Sequence, residues 1–152
     1  MSDERMNFIA ATLCAVVRGK RFLVIVRADG IKDAPGALVF PGAKVEVGDG
    51  LDDVLKTAVR REVLEETGIS VSPDLEFIQS KTFELSDGTP VVDILFLGIY
   101  VEGEPRISVP EEVAAIHWMT EDEILAHEKA PQCLKNAINL IGAHREDSGH
   151  VR

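Results

Sequence analysis

Residues 61 to 69 read REVLEETGI, and three of them, Glu62, Glu65 and Glu66, are carboxylates about one helical turn apart. Counting back from Glu62, the residues Leu51, Val54, Leu55, Ala58 and Val59 recur at the spacing of one helix face. At about 100° per residue, Glu62, Glu65 and Glu66 fall at roughly 20°, 320° and 60° from Leu51, inside an apolar arc of roughly 300° to 80°. Three acids on a buried stripe lose hydration and repel one another, which costs several kcal/mol unless a counter-charge is bound. The bland alternative is a solvated face on which Arg61 pairs with Glu65 at i, i+4 for a few tenths of a kcal/mol. It leaves the direction of the acids unexplained.

Carboxylate oxygens on adjacent turns are hard ligands, suited to Mg²⁺ or Mn²⁺ and not to zinc, which recruits His or Cys. His117, His127, His144 and His150 show no ligand spacing. A magnesium site that keeps several waters works on phosphates, polarising their oxygens and activating an attacking water. Phosphoryl chemistry is therefore the expectation. The metal would receive an anionic substrate that a chain of net charge −10 otherwise repels.

The elements that must position these acids are legible around them. Phe8 to Val17 and Phe22 to Arg27 read as an antiparallel pair of strands joined by RGK. DGIKDAPG, residues 29 to 36, reads as a loop, and LVFPGAKVEVGDG as short extended pieces broken by Pro41, Gly42, Gly48 and Gly50. The acidic helix is expected from Leu51 to Thr67, with Asp52 and Asp53 in its first turn and Gly68 ending it. Glu76 to Leu85 and Val91 to Val101 read as two further strands joined by SDGTP, and Ala115 to Met119 as another. Thr120 and Glu123 form a capping box for a short helix, and Gln132 to Ala143 a closing amphipathic one. The fold class that fits is α/β, a mixed central sheet sandwiched between helices.

The 152 residues, 45% hydrophobic, are expected to make one domain over 1–152, with residues 145–152 as a flexible tail. The longest apolar run, Val91 to Val101, is interrupted by Asp93 and is too short to span a membrane. MSDERMNFIA lacks an export signal, so a cytoplasmic location is expected, with Cys14 and Cys133 reduced. No basic cluster extends beyond Arg60 and Arg61, which argues against a nucleic-acid partner.

The sequence resembles the Nudix hydrolases, whose box is G-x5-E-x7-R-E-U-x-E-E-x-G-U with U a bulky aliphatic residue. Arg61 to Ile69 matches its second half at every defined position, and FPGAKVEVGD, from Phe40 to Asp49, is similar to the usual approach to the helix. Ala43 stands where the second glycine of the usual pair is found. Strict counting makes Asp53 the acid ahead of the arginine, whereas local context makes it Asp49, with about one extra turn before Arg61.

The resemblance implies the Nudix fold and a pyrophosphohydrolase. Glu62, Glu65 and Glu66 would bind one to three Mg²⁺ ions, with Mn²⁺ as a possible substitute and the Ala43 carbonyl as a further ligand. Arg61 would orient a glutamate. A late-loop glutamate, Glu111 or Glu112, is a candidate general base, and Lys44 and Arg27 are candidate phosphate contacts. Trp118 is expected to pack. The implied partner is a small-molecule nucleoside diphosphate derivative, and many relatives are homodimers. Residues 84 to 87 read ELSD, without the proline or tyrosine that mark the ADP-ribose and dinucleoside polyphosphate hydrolases. The expectation is therefore a MutT-like conversion of a (d)NTP to (d)NMP and pyrophosphate. Alternatives are an ADP-ribose or nucleotide-sugar diphosphatase, a prenyl diphosphate isomerase, and a non-catalytic nucleotide-binding regulatory module. The last commonly loses the box glutamates, all three of which are present here.

Overall fold

The computed structural model describes residues 5–147. In chain order the elements are β1 (Ile9–Arg18), β2 (Arg21–Arg27), β3 (Leu38–Val39), β4 (Gly42–Lys44), a 3₁₀ turn at Val47–Asp49, α1 (Val54–Thr67), β5 (Ser70–Val71), β6 (Glu76–Glu84), β7 (Pro90–Glu102), β8 (Val113–Thr120), α2 (Glu121–Ala126) and α3 (Gln132–Asp147). The strands run β3-β2-β1-β7-β5, with β4 on β1, β6 on β7 and β8 on β2. β1 and β7 are parallel and the other pairs antiparallel, so the sheet is mixed.

The period-two alternation of β1 and β7 divides the core into two layers. Cys14, Val16, Ile94 and Phe96 face Val59, Val63 and Ile69 beneath α1. Their neighbours Ala15, Val17, Leu95 and Leu97 face Ile124, Leu134, Ile138 and Ile141 beneath α2 and α3. Because both faces are covered, these strands read as continuous apolar runs. No helix among the described residues is long and apolar enough to cross a membrane.

Three boundaries differ from the sequence expectation by more than one residue. The acidic helix begins at Val54, not Leu51, because Asp53 takes a left-handed conformation (φ 52°). Leu51 is 97% exposed, so it is no member of the buried stripe. The extra turn before Arg61 therefore lies in the approach to the helix, over residues 50 to 53. At the far end α3 continues through Asp147, so Arg145 to Asp147 are helical where a tail was expected. The rest of that tail, 148–152, lies outside the described residues. β8 also starts two residues earlier than expected, at Val113.

Candidate functional site

Helix α1 buries Ala58, Val59, Val63 and Thr67. On the wheel used above these lie at roughly 340°, 80°, 120° and 160°. Its buried face is thus centred near Glu66 and includes Glu62, while Glu65 falls at the edge. The observed exposures follow: Glu62 and Glu66 are partly buried, and the Glu65 side chain is 60% exposed.

Arg61 is surrounded by carboxylates. Its Nε and Nη2 donate to Oδ1 and Oδ2 of Asp49 at 2.5 and 3.0 Å, and its Nη1 donates to Glu62 at 2.6 Å and to Glu65 at 3.1 Å. Glu46 adds an ion pair at 3.4 Å. The Asp49 side chain is only 1% exposed, and its Oδ2 also accepts from the Glu46 amide at 2.8 Å. The Arg61 hydrogen bonds, then the Glu46 amide, hold the Asp49 carboxyl below its ordinary value. The Arg61 guanidinium is held charged chiefly by Asp49 and then by Glu62. Asp49, and not Asp53, is thus the acid that supports Arg61.

Glu66 is placed differently. Its Oε1 accepts the Gly42 amide at 3.2 Å. Burial pushes its carboxyl up to about 7, the Gly42 amide pulls it down, the Glu62 and Glu112 carboxylates push it up again, and the Arg27 guanidinium pulls it back. Arg27 and Glu112 therefore share the field of Glu66, although they lie far from it in sequence. Glu112 is fixed by its carbonyl, which accepts the Ala28 amide at 2.9 Å, and Arg27 by its Nε, which donates to the Asp33 carbonyl at 2.8 Å. Lys44 is exposed on β4.

The backbone of β4 assigns the nearby carbonyls. Thr12 pairs with Ala43 and Leu13 with Gly42, while Cys14 N–H donates to Pro41 O and Val45 N–H to Ala10 O. In an antiparallel ladder this makes Thr12 and Ala43 the hydrogen-bonded pair, so the Ala43 carbonyl faces β1 and the Gly42 carbonyl faces away. The Ala43 carbonyl, expected as a metal ligand, is therefore turned into the ladder, and the Gly42 carbonyl is the one left on its outer side. Only glycine fits at residue 42, where φ is 157° and a Cβ would lie 2.0 Å from the Thr12 carbonyl oxygen. The Phe-Pro-Gly run was the sequence signal for this close approach.

No three Asp, Glu, His or Cys side chains among the described residues form a ready metal cage. Glu62 and Glu65, expected to join Glu66 on a metal, are held by Arg61. The donor chemistry nonetheless fits a hard divalent cation. Glu62, Glu66, Glu112 and the Gly42 carbonyl supply oxygen only, and Glu66 is a desolvated acid with two carboxylates pressing on it.

The sequence model of the NUDIX domain matches residues 6–140. The chain belongs to the NUDIX family. Among solved structures, this NUDIX chain is similar to a MutT NUDIX hydrolase from Burkholderia pseudomallei, with TM-score 0.74, 24% identity and coverage of 89% of this chain and 98% of that one. It is also similar to a MutT protein from Methanosarcina mazei Go1, with TM-score 0.74, 25% identity and coverage of 94% and 99%. A UDP-X diphosphatase aligns with TM-score 0.66 at 15% identity, covering 94% of this chain and 67% of its own. None of the curated proteins matches the chain. As a NUDIX hydrolase the chain acts on pyrophosphate bonds, a chemistry for which the family generally uses divalent metal ions.

Proposed function

We propose that this NUDIX hydrolase is a Mg²⁺-dependent, MutT-like pyrophosphohydrolase that converts a nucleoside triphosphate, ribo or deoxy, to the monophosphate and pyrophosphate in the cytoplasm. The observation that carries the reading is the desolvated Glu66 carboxyl, bonded to the Gly42 amide and flanked by Glu62, Glu112 and Arg27.

Glu62, Glu66 and the Gly42 carbonyl would hold Mg²⁺, with Glu65 joining them on release from Arg61. The ion, when bound, neutralises phosphate charge and lowers the pKa of an attacking water. Glu112 accepts the proton of that water as general base. Arg27, whose charge acts on Glu66, and Lys44, exposed on β4, would contact the phosphates. Arg61 touches no substrate. It orients Glu62 and is itself fixed by Asp49.

Phosphate release, coupled to inorganic pyrophosphatase, tests this on NTPs, dNTPs and oxidised dGTP, with alkaline phosphatase added for ADP-ribose and sugar nucleotides. Turnover of a triphosphate that needs Mg²⁺ and disappears in Glu66→Gln is the expected result. Turnover confined to ADP-ribose or a sugar nucleotide would overturn the substrate assignment. Binding without hydrolysis, with Mn²⁺ as well as Mg²⁺, would overturn the catalytic one.

A further inference from the structure

The connection between β7 and β8, residues 103–112, crosses the C-terminal end of α1 and finishes on Glu112. None of its residues is buried, and the next side chain in the core is Val113. Core packing therefore does not place this segment, and its path is set by hydrogen bonds. It starts at Gly103, whose carbonyl accepts the Tyr100 hydroxyl at 2.8 Å and where a Cβ would lie 2.3 Å from the Gly68 carbonyl oxygen. Beyond that point it satisfies carbonyls that α1 leaves open at its last turn. Arg106 N–H donates to the Thr67 carbonyl at 2.9 Å, and the Ser108 hydroxyl donates to the Glu65 carbonyl at 2.7 Å.

Ser108 immediately precedes a four-residue turn, Val109 to Glu112, with Pro110 in its second position and Glu112 N–H donating to the Val109 carbonyl at 3.0 Å. The Glu112 carbonyl then accepts the Ala28 amide at 2.9 Å. The Ser108 contact thus joins the turn of α1 that carries Glu65 and Glu66 to the turn that carries Glu112, whose charge acts on the Glu66 carboxyl. Among the described residues no other side chain of 104–112 makes a hydrogen bond to another element. Because the contact is exposed, water can replace the hydroxyl at the Glu65 carbonyl, so the contact contributes little to stability. Water cannot tie the segment to the helix.

We propose that Ser108 is a positioning residue: by capping α1 from outside the helix it holds the Glu112 carboxylate beside Glu66. The assignment rests on Glu112 as the general base of the hydrolase reading and deepens it.

The test compares wild type with Ser108→Ala and Ser108→Thr. With dGTP and ATP as probes in Mg²⁺, Ser108→Ala should lower kcat by roughly 3–30-fold and leave KM within about twofold. Ser108→Thr, which keeps the hydroxyl, should recover kcat to within about twofold of wild type. Both variants should melt within about 2 °C of wild type, as expected of an exposed substitution. In a Glu112→Gln background Ser108→Ala should change kcat by less than about twofold, because the group it positions is gone. Amide exchange needs no substrate, and the Arg106 and Glu112 amides should exchange at least about tenfold faster in Ser108→Ala, with Ser108→Thr restoring them. Unchanged kcat in Ser108→Ala, an equal loss with and without Glu112, or no recovery in Ser108→Thr would overturn the proposal. Faster exchange in Ser108→Ala with no turnover by wild type sinks the hydrolase reading alone. Wild-type turnover that Ser108→Ala leaves untouched sinks the Ser108 assignment alone, and unchanged exchange with no turnover sinks both.

Discussion

Arg61 and Asp49 meet fork to fork, Nε to Oδ1 at 2.5 Å and Nη2 to Oδ2 at 3.0 Å, across an interval of twelve residues. The contact ties the 3₁₀ turn to the third turn of α1 and leaves the other Arg61 nitrogen for Glu62 and Glu65. A lysine keeps the charge and loses the fork. Arg61→Lys should therefore lower kcat by roughly 10–100-fold with a smaller change in KM, the size expected when an outer support of a metal site is removed. Unchanged kcat would show that Glu62 needs no such support.

The same pair sets an acid limit. The folded Asp49 carboxyl lies below its ordinary value of 3.8, so its contribution is present above that value and is lost as pH falls through the folded one. Asp49→Asn should be less stable than wild type at pH 7, and the difference should narrow below about pH 4 in thermal melts.

Glu66 governs the response to metal. Its folded value is raised to about 7, so without a cation its protonated form contributes stability that is lost as pH rises from about 4.5 through 7. Protons and Mg²⁺ compete for such a group, and metal affinity rises with pH. Mg²⁺ should raise the melting temperature of wild type more at pH 8 than at pH 6. Glu66→Gln should lose most of that rise while being at least as stable as wild type in EDTA at pH 8. An equal Mg²⁺ response in both proteins would remove Glu66 from the ion.

Glu111 and Glu112 are neighbours in sequence and alike in composition, but only Glu112 acts on the Glu66 carboxyl. Glu112→Gln should reduce kcat by about 10²–10⁴-fold, the span typical of a general base. Glu111→Gln should leave it within about twofold. The reverse ranking would move the base to Glu111, and two silent variants would move it to the helix.

How far the site was legible follows from these residues. The spacing of Glu62 and Glu66 on α1 is local, and period 3.6 carries it. Glu65 was misplaced because the arc was bounded by Val54, which is only partly buried, and left out Val63 and Thr67, which carry the buried face the other way, while Leu51 is not in the helix at all. The left-handed Asp53 that excludes it leaves no unambiguous mark, since aspartate is common both at caps and in helix first turns. Arg27 and Glu112 are brought to Glu66 by the pairing of β2 with β8, a long-range register that no local pattern announces. Asp93 was visible only as an interruption in an apolar run, and its burial depends on neighbouring elements packed over β7. The central strands were easily recognised for the opposite reason: burial on both faces makes them continuously apolar.

Asp93 gives the last prediction, and its sign is opposite to that of Asp49. Burial raises its folded value from 3.8 to about 6, so the folded protein binds the proton more tightly than the unfolded chain. Its contribution is present below about pH 3.8 and is lost as pH rises through 6, leaving an ionised buried group that costs up to about 3 kcal/mol. Asp93→Asn should consequently be more stable than wild type in urea melts at pH 8, by about 1–3 kcal/mol, and the gap should close by pH 4. A gap that does not vary with pH would mean that the folded Asp93 titrates like an exposed carboxyl.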